Sequence, residues 1–108
     1  MPTIQTLCVA VAVVAGFLTD APGALCASVA HGQKLAQSYC DECHVIVRNG
    51  PAGWTSAPSF AAIADKPTTT AASLRAFIQK PHMDMLNLAR SPSEAADLAA
   101  YILSLQQK

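Results

Sequence analysis

The stretch Cys40-Asp41-Glu42-Cys43-His44 decides the fold of this 108-residue chain. Two cysteines separated by two residues, with a histidine directly after the second, form the attachment signature for c-type haem. The two thiols would add across the haem vinyl groups as thioethers. Because His44 follows so closely, its imidazole would reach the iron on one face as the proximal ligand. We therefore expect one covalent haem c, bound through Cys40, Cys43 and His44.

Three other roles for the cysteine pair have weaker support. A thioredoxin-like dithiol would lie beside a βαβ pattern, which the sequence lacks. A zinc site would need a second pair of ligands, and the two other histidines, His31 and His82, do not have the spacing of such a pair. A structural disulfide across two intervening residues would be strained and would close almost no loop. Haem attachment is the favoured interpretation.

The N-terminal segment is typical of an export signal. Residues 7–18, LCVAVAVVAGFL, carry no charge. As a helix they would be about 18 Å long, short of a hydrocarbon core of roughly 30 Å. Small residues follow, as in a signal-peptidase cleavage zone. We predict a cleaved signal peptide over residues 1–30, with the cut before His31 as the first choice and a cut after Ala27 as the second. An uncleaved membrane anchor or a buried core helix is the alternative.

Composition limits the classes of partner. The chain has 7 Lys and Arg against 7 Asp and Glu. This balance lacks the basic surplus that nucleic acids or anionic lipids attract. We therefore expect no nucleic-acid partner and no stable membrane insertion after signal cleavage. Residues 31–108 would form one monomeric domain, and a chain of this size usually needs a disulfide, metal or cofactor to be robust.

Hydrophobic spacing predicts helices and no strands after the signal segment. The first helix would end at the cysteines. A short turn would follow Ser59, and a third segment would begin near Thr68 to Thr70. The last helix would begin with the capping-box sequence Ser91-Pro92-Ser93-Glu94. The prediction is a small all-α domain.

A second axial ligand would have to come from later in the chain. After removal of the signal peptide, Met83 and Met85 are the only methionines. Both lie in the loop of residues 81–88, between two predicted helices. A thioether is a soft ligand that favours ferrous iron and raises the reduction potential. The residues themselves leave Met83 and Met85 open as distal ligands, with His82 as a third candidate.

Taken together, these segments resemble the class I, mitochondrial-type, cytochromes c, especially the small monohaem proteins of the bacterial periplasm. The resemblance runs from Gly32 to Leu105 and includes Ala57-Pro58-Ser59-Phe60 and the stretch of residues 97–102, DLAAYI. It implies a cytochrome c fold of three to five helices wrapped around one haem. It also implies that the first and last helices cross where Gly32 meets Tyr101.

The resemblance further implies roles for individual residues. The Pro58 carbonyl would accept a hydrogen bond from the ring of His44, which fixes the imidazole tautomer. The family pattern Pro-His-x-x-Met-Pro-Asn-Leu, aligned on Pro81-His82 and Asn87-Leu88, places the distal ligand at Met85 and leaves Met83 as the alternative.

Two protein ligands would leave the iron no free position for a substrate. We therefore expect a periplasmic electron carrier, not an enzyme. Its partners would be redox proteins such as a dehydrogenase, a cytochrome complex, an oxidase or a reductase. If neither methionine binds the iron, the alternative is a haem enzyme or gas sensor with an open, peroxidase-like site. A third interpretation is a cytochrome module that is fused to or docked on a dehydrogenase. The sequence of a single domain does not distinguish this role from that of a free electron carrier.

Overall fold

The computed structural model describes residues 26–51, 55–80 and 90–107. Within these ranges the chain forms helices and no strands. The helices are α1 (Val29–Tyr39), α2 (Phe60–Asp65), α3 (Ala71–Gln79) and α4 (Pro92–Ser104). None of the described helices is long and apolar enough to cross a membrane. The predicted all-α fold is confirmed, whereas most of the signal segment and the loop with Met83 and Met85 lie outside the described residues.

Each helix begins after a hydroxyl side chain that accepts a hydrogen bond from a backbone N–H three residues later. The capping residues are Ser28, Ser59, Thr70 and Ser91. Ser and Thr are favoured at this position because they satisfy a backbone donor that has no partner within the helix. The sequence predicted the last three caps. The first helix begins at Val29, three residues before Gly32, because Ser28 caps it.

The first and last helices approach each other closely. A Cβ atom built on Gly32 would lie 2.0 Å from the Asp97 carbonyl oxygen and 2.8 Å from the Tyr101 Cβ atom. Only glycine allows this separation, so the contact expected between Gly32 and Tyr101 is confirmed. Apolar burial around the crossing supplies the core. Its buried members are Leu35, Ala36, Ile46, Phe60, Ala64, Leu74, Leu98, Ala99, Tyr101 and Ile102.

Arg48 forms hydrogen bonds to Leu105 near the C-terminus and to Asp65 at the end of α2. The guanidinium donates to the Leu105 carbonyl oxygen from Nε at 3.1 Å and from Nη2 at 2.7 Å. Nη2 also lies 2.7 Å from both carboxylate oxygens of Asp65. The backbone N–H of Gln107 donates to the same carboxylate at 2.9 Å. These hydrogen bonds, first from Arg48 and then from Gln107, lower the pKa of Asp65 below its usual value.

Candidate haem site

The cysteine motif forms a tight turn at the end of α1. The N–H of Cys40 donates to the carbonyl oxygen of Ala36 at 2.9 Å and so closes the helix. The N–H groups of Cys43 and His44 then donate to the Cys40 carbonyl oxygen at 3.2 and 2.9 Å. Both cysteines are free thiols. Local backbone bonds therefore place two thiols and one imidazole within a single turn of chain.

The two thiols differ in their surroundings. Cys43 is exposed, whereas Cys40 is partly buried at the helix end. Burial raises the pKa of the Cys40 thiol to about 11, with the positive charge of Arg90 acting in the opposite direction and Cys43 adding to the increase. Burial therefore favours the protonated form of the Cys40 thiol at neutral pH.

The imidazole of His44 is oriented by a backbone carbonyl. Its Nδ1 atom lies 2.6 Å from the carbonyl oxygen of Pro58. A carbonyl oxygen can only accept, so Nδ1 carries the proton and Nε2 keeps the lone pair that a metal ion needs. The ring also packs against Phe60, with centroids 5.3 Å apart and planes inclined by 45°. The structure thus brings His44 and Pro58 into hydrogen-bond contact.

Thr55 fastens the Pro58 loop to the motif. Its hydroxyl donates to the Cys43 carbonyl oxygen at 2.5 Å and accepts from the N–H of Ala57 at 3.2 Å. The sequence interpretation missed this residue. The available signal was a threonine placed to bond the backbone two residues later, a common turn device. One hydroxyl therefore links the two chain segments that carry the thiols and the accepting carbonyl.

The chain beyond His44 is bonded to two helices. The N–H of Phe60, the first residue of α2, donates to the Val45 carbonyl oxygen at 2.9 Å. The hydroxyl of Tyr101 in α4 donates to the Ile46 carbonyl oxygen at 2.6 Å. Tyr101 is 4% exposed, and burial raises the pKa of its phenol. These bonds fix the motif on the frame made by the helix crossing.

Arg90 is a second residue that the sequence interpretation missed. Its guanidinium carbon lies 4.1 Å from the ring centroid of Tyr39, in a cation–π contact next to Cys40. It also approaches Glu94, with 3.9 Å between Nη1 and a carboxylate oxygen. Glu94 is a local neighbour four residues later, but Tyr39 lies 51 positions earlier in the chain, so no local pattern could place Arg90 beside Cys40. Arg90 places a positive charge beside the first thiol.

The described residues fit a haem c. In the three described ranges, no group of three or more His, Cys, Asp or Glu side chains could hold a metal ion without other ligands. Haem iron needs only one protein ligand on each face because the porphyrin supplies the remaining four. His44 can be one such ligand, and the free thiols beside it can form the covalent links. The distal candidates Met83, Met85 and His82 lie outside the described residues.

Comparison with known proteins gives a relative that matches nearly the full length of the chain. The chain is similar to cytochrome c-552 of Bradyrhizobium diazoefficiens, with 34% identity over 103 residues that cover 95% of each chain. No protein-family model matches the chain. No solved structure matches it either. Because the alignment covers nearly the whole chain, the similarity is not confined to the cysteine motif.

Proposed function

The chain belongs to the small c-type cytochromes, and from that premise we propose that it is a periplasmic carrier of single electrons with His44 and Met85 as axial ligands. Membership of this family makes haem c its covalent cofactor and electron transfer its activity. One observation carries the proposal for the proximal side. It is the 2.6 Å contact between His44 Nδ1 and the Pro58 carbonyl, adjacent to two free thiols.

When bound, the haem supplies the one-electron chemistry, and the protein supplies its orientation and electrostatics. His44 presents the unprotonated Nε2 because Nδ1 is committed to Pro58. The same hydrogen bond raises the basicity of the ring and limits its rotation. Phe60, only 4% exposed, packs against the imidazole and covers part of it. A ligand held in this way can keep one orientation in both oxidation states.

The proposal for the distal side rests on the resemblance in sequence. Met85 occupies the ligand position of the family pattern, and Met83 stands two residues before it. A methionine thioether would favour the ferrous state and fill the last coordination position. With that position filled, the protein would exchange electrons and would not bind a substrate at the iron. Met83 is the alternative ligand within the same loop.

The proposal includes export and redox partners. A signal peptide at the N-terminus would deliver the chain to the periplasm, where its partners would be proteins that donate or accept electrons. Across the whole chain, basic and acidic side chains are equal in number. Contact with a partner would therefore depend more on short-range burial than on long-range steering.

Covalent haem attachment can be tested by removing the motif thiols. The exported protein should retain haem through acid-acetone extraction and denaturing electrophoresis, because thioethers survive where coordinate bonds do not. The double variant Cys40→Ala, Cys43→Ala should show no haem stain. Ser38→Ala, an exposed change outside the motif, is the control and should stain like the wild type. Covalent haem in the double variant would contradict the assignment.

The distal ligand can be tested separately. Met85→Ala should abolish the iron–sulfur charge-transfer band of the ferric protein and open the iron to added ligands. Met83→Ala is the matched control and should keep the band. The reverse pattern would move the ligand to Met83, and a band that survives both single changes would mean that the two methionines can replace each other.

A further inference from the structure

A carboxylate in α4 holds the start of α1. The Asp97 side chain is 16% exposed. Its Oδ1 accepts from the backbone N–H of Ser28 at 2.7 Å, and its Oδ2 lies 2.6 Å from His31 Nδ1. Because most of this carboxylate is shielded from water, it needs hydrogen-bond partners to offset its lost hydration. These three residues are named the Ser28 cluster below.

Residues 28–30 belong to the folded domain. The Ser28 hydroxyl accepts from the N–H of His31 at 3.1 Å, and its carbonyl accepts from the N–H of Gly32 at 2.9 Å. Val29 is partly buried against the hydrophobic core. A chain beginning at His31 would lose the helix cap, this packing and the partner of Asp97 Oδ1. The fold therefore uses residues that the first-choice cut would remove.

We infer that export processing hydrolyses the peptide bond between Ala27 and Ser28, so that the mature chain begins at Ser28. Water supplies a hydroxyl to the new carboxyl group of Ala27 and a hydrogen to the nitrogen of Ser28. That amine takes up a further proton at neutral pH, as α-amino groups do. The inference goes beyond the proposed function because it does not depend on the haem.

The new terminus suits its surroundings. An α-ammonium group at Ser28 would face Asp97 Oδ1 in place of the present amide N–H, turning that contact into a charge-assisted hydrogen bond. Positive charge at a helix N-terminus is normally unfavourable because the helix dipole is positive there. The Asp97 carboxylate offsets this repulsion. Both cuts follow an alanine. The residue two positions before that alanine is Ser28 for the cut before His31 and the larger Leu25 for the cut after Ala27, so the preference for small residues favours the former. Only the cut after Ala27, however, preserves the Ser28 cluster.

The full chain exported to a bacterial periplasm provides the test. Intact mass and N-terminal sequencing of the purified protein should show a chain that begins at Ser28. A chain that begins at His31 or at any other residue, or a chain that is not cut, would overturn the inference. If the protein carried no haem, the proposed function would fail, and the N-terminal residue would still decide this question.

A second measurement tests the physical reason. Mature chains beginning at Ser28 and at His31 can be produced behind an exchangeable leader and compared by chemical denaturation. The equilibrium constant for unfolding should be at least about fivefold larger for the chain that begins at His31 than for the chain that begins at Ser28. This ratio corresponds to the loss of one helix cap. Asp97→Asn should reduce that difference by the share that the charged contact with the Ser28 amine contributes. Arg75→Gln, which neutralises an exposed charge on α3, should preserve it. Equal unfolding constants for the two chains would contradict the role of the Ser28 cluster.

Discussion

The helix crossing and the cysteine motif are held by different forces. At the crossing, α1 and α4 meet at Gly32, and buried apolar side chains surround the contact. At the motif, backbone bonds and the Thr55 hydroxyl hold a turn whose Cys43 side chain is exposed. Apolar burial depends on area and shape, whereas hydrogen bonds depend on direction. The crossing should therefore govern stability, and the motif bonds should govern the orientation of the haem ligand.

The largest change in stability is expected from Gly32→Ala. The new methyl group would meet the Asp97 carbonyl oxygen, so the two helices would have to separate. We expect a loss of about 2 kcal/mol or more, even though alanine is favoured over glycine in a helix by about 1 kcal/mol. Chemical denaturation of the haem-loaded protein measures it. Ser38→Ala, on an exposed face of α1, is the control. A loss below 0.5 kcal/mol in Gly32→Ala, roughly the effect of an ordinary surface change, would contradict the close crossing.

A smaller loss is expected from Tyr101→Phe, which connects the crossing to the motif. This change removes the hydrogen bond to the Ile46 carbonyl and keeps the packing of the ring. The free energy of unfolding should fall by about 1 to 2 kcal/mol, because a buried acceptor loses its partner. Tyr39→Phe, at an exposed position, should have almost no effect. Equal decreases in the free energy of unfolding for the two variants would mean that the Tyr101 hydroxyl does not stabilise the chain beyond the motif.

Thr55→Val should affect the ligand more than the fold. It removes both hydrogen bonds of the hydroxyl, at a cost of about 1 kcal/mol. The freed Pro58 loop would let the His44 ring rotate, and the paramagnetically shifted haem methyl signals of the ferric protein should move. Thr55→Ser keeps the hydroxyl and should restore the wild-type pattern. If Val and Ser variants give the same NMR signals, Thr55 has no positioning role.

The smallest effect is expected from Asp65, an exposed residue that pairs with Arg48. The folded protein binds fewer protons here than the unfolded chain, because the pKa of Asp65 is lowered in the fold. Its contribution is therefore complete above the unfolded pKa of about 3.9 and is lost as the pH falls further toward the lower folded pKa. Asp65→Asn should be slightly less stable than the wild type at neutral pH, and the two proteins should converge in acid. Urea midpoints measured from pH 7 downward check this. A constant difference over that range would show that the charge is not responsible.

The sequence predicted the features that depend on neighbouring residues. Ser59 and Ser91 were identified as caps because a capping side chain acts on the next turn of chain. The contact of His44 with Pro58 was expected only through the resemblance to known cytochromes. The bonds of Arg48 to Asp65 and Leu105 were not foreseen, since these partners lie 17 and 57 positions away.

The start of α1 depends on a distant residue in the same way. Ser28 is fixed partly by Asp97, which is 69 positions away in sequence. Small residues around Ser28 also match a cleavage zone, so the local pattern favoured assigning them to the signal peptide. Sequence patterns of neighbouring residues predict helix ends well, except where a side chain distant in sequence also bonds to the capping residue.

The central claim, an electron carrier with both axial positions filled, is tested most directly by exposing the ferrous protein to carbon monoxide. A protein thioether on the distal face should exclude the gas, so the optical spectrum should stay unchanged for minutes in wild-type protein. Met85→Ala, measured in parallel, should shift at once to the spectrum of a carbon monoxide complex and so prove that the assay responds. Rapid and complete binding by the wild type would contradict the claim and favour a haem enzyme or gas sensor.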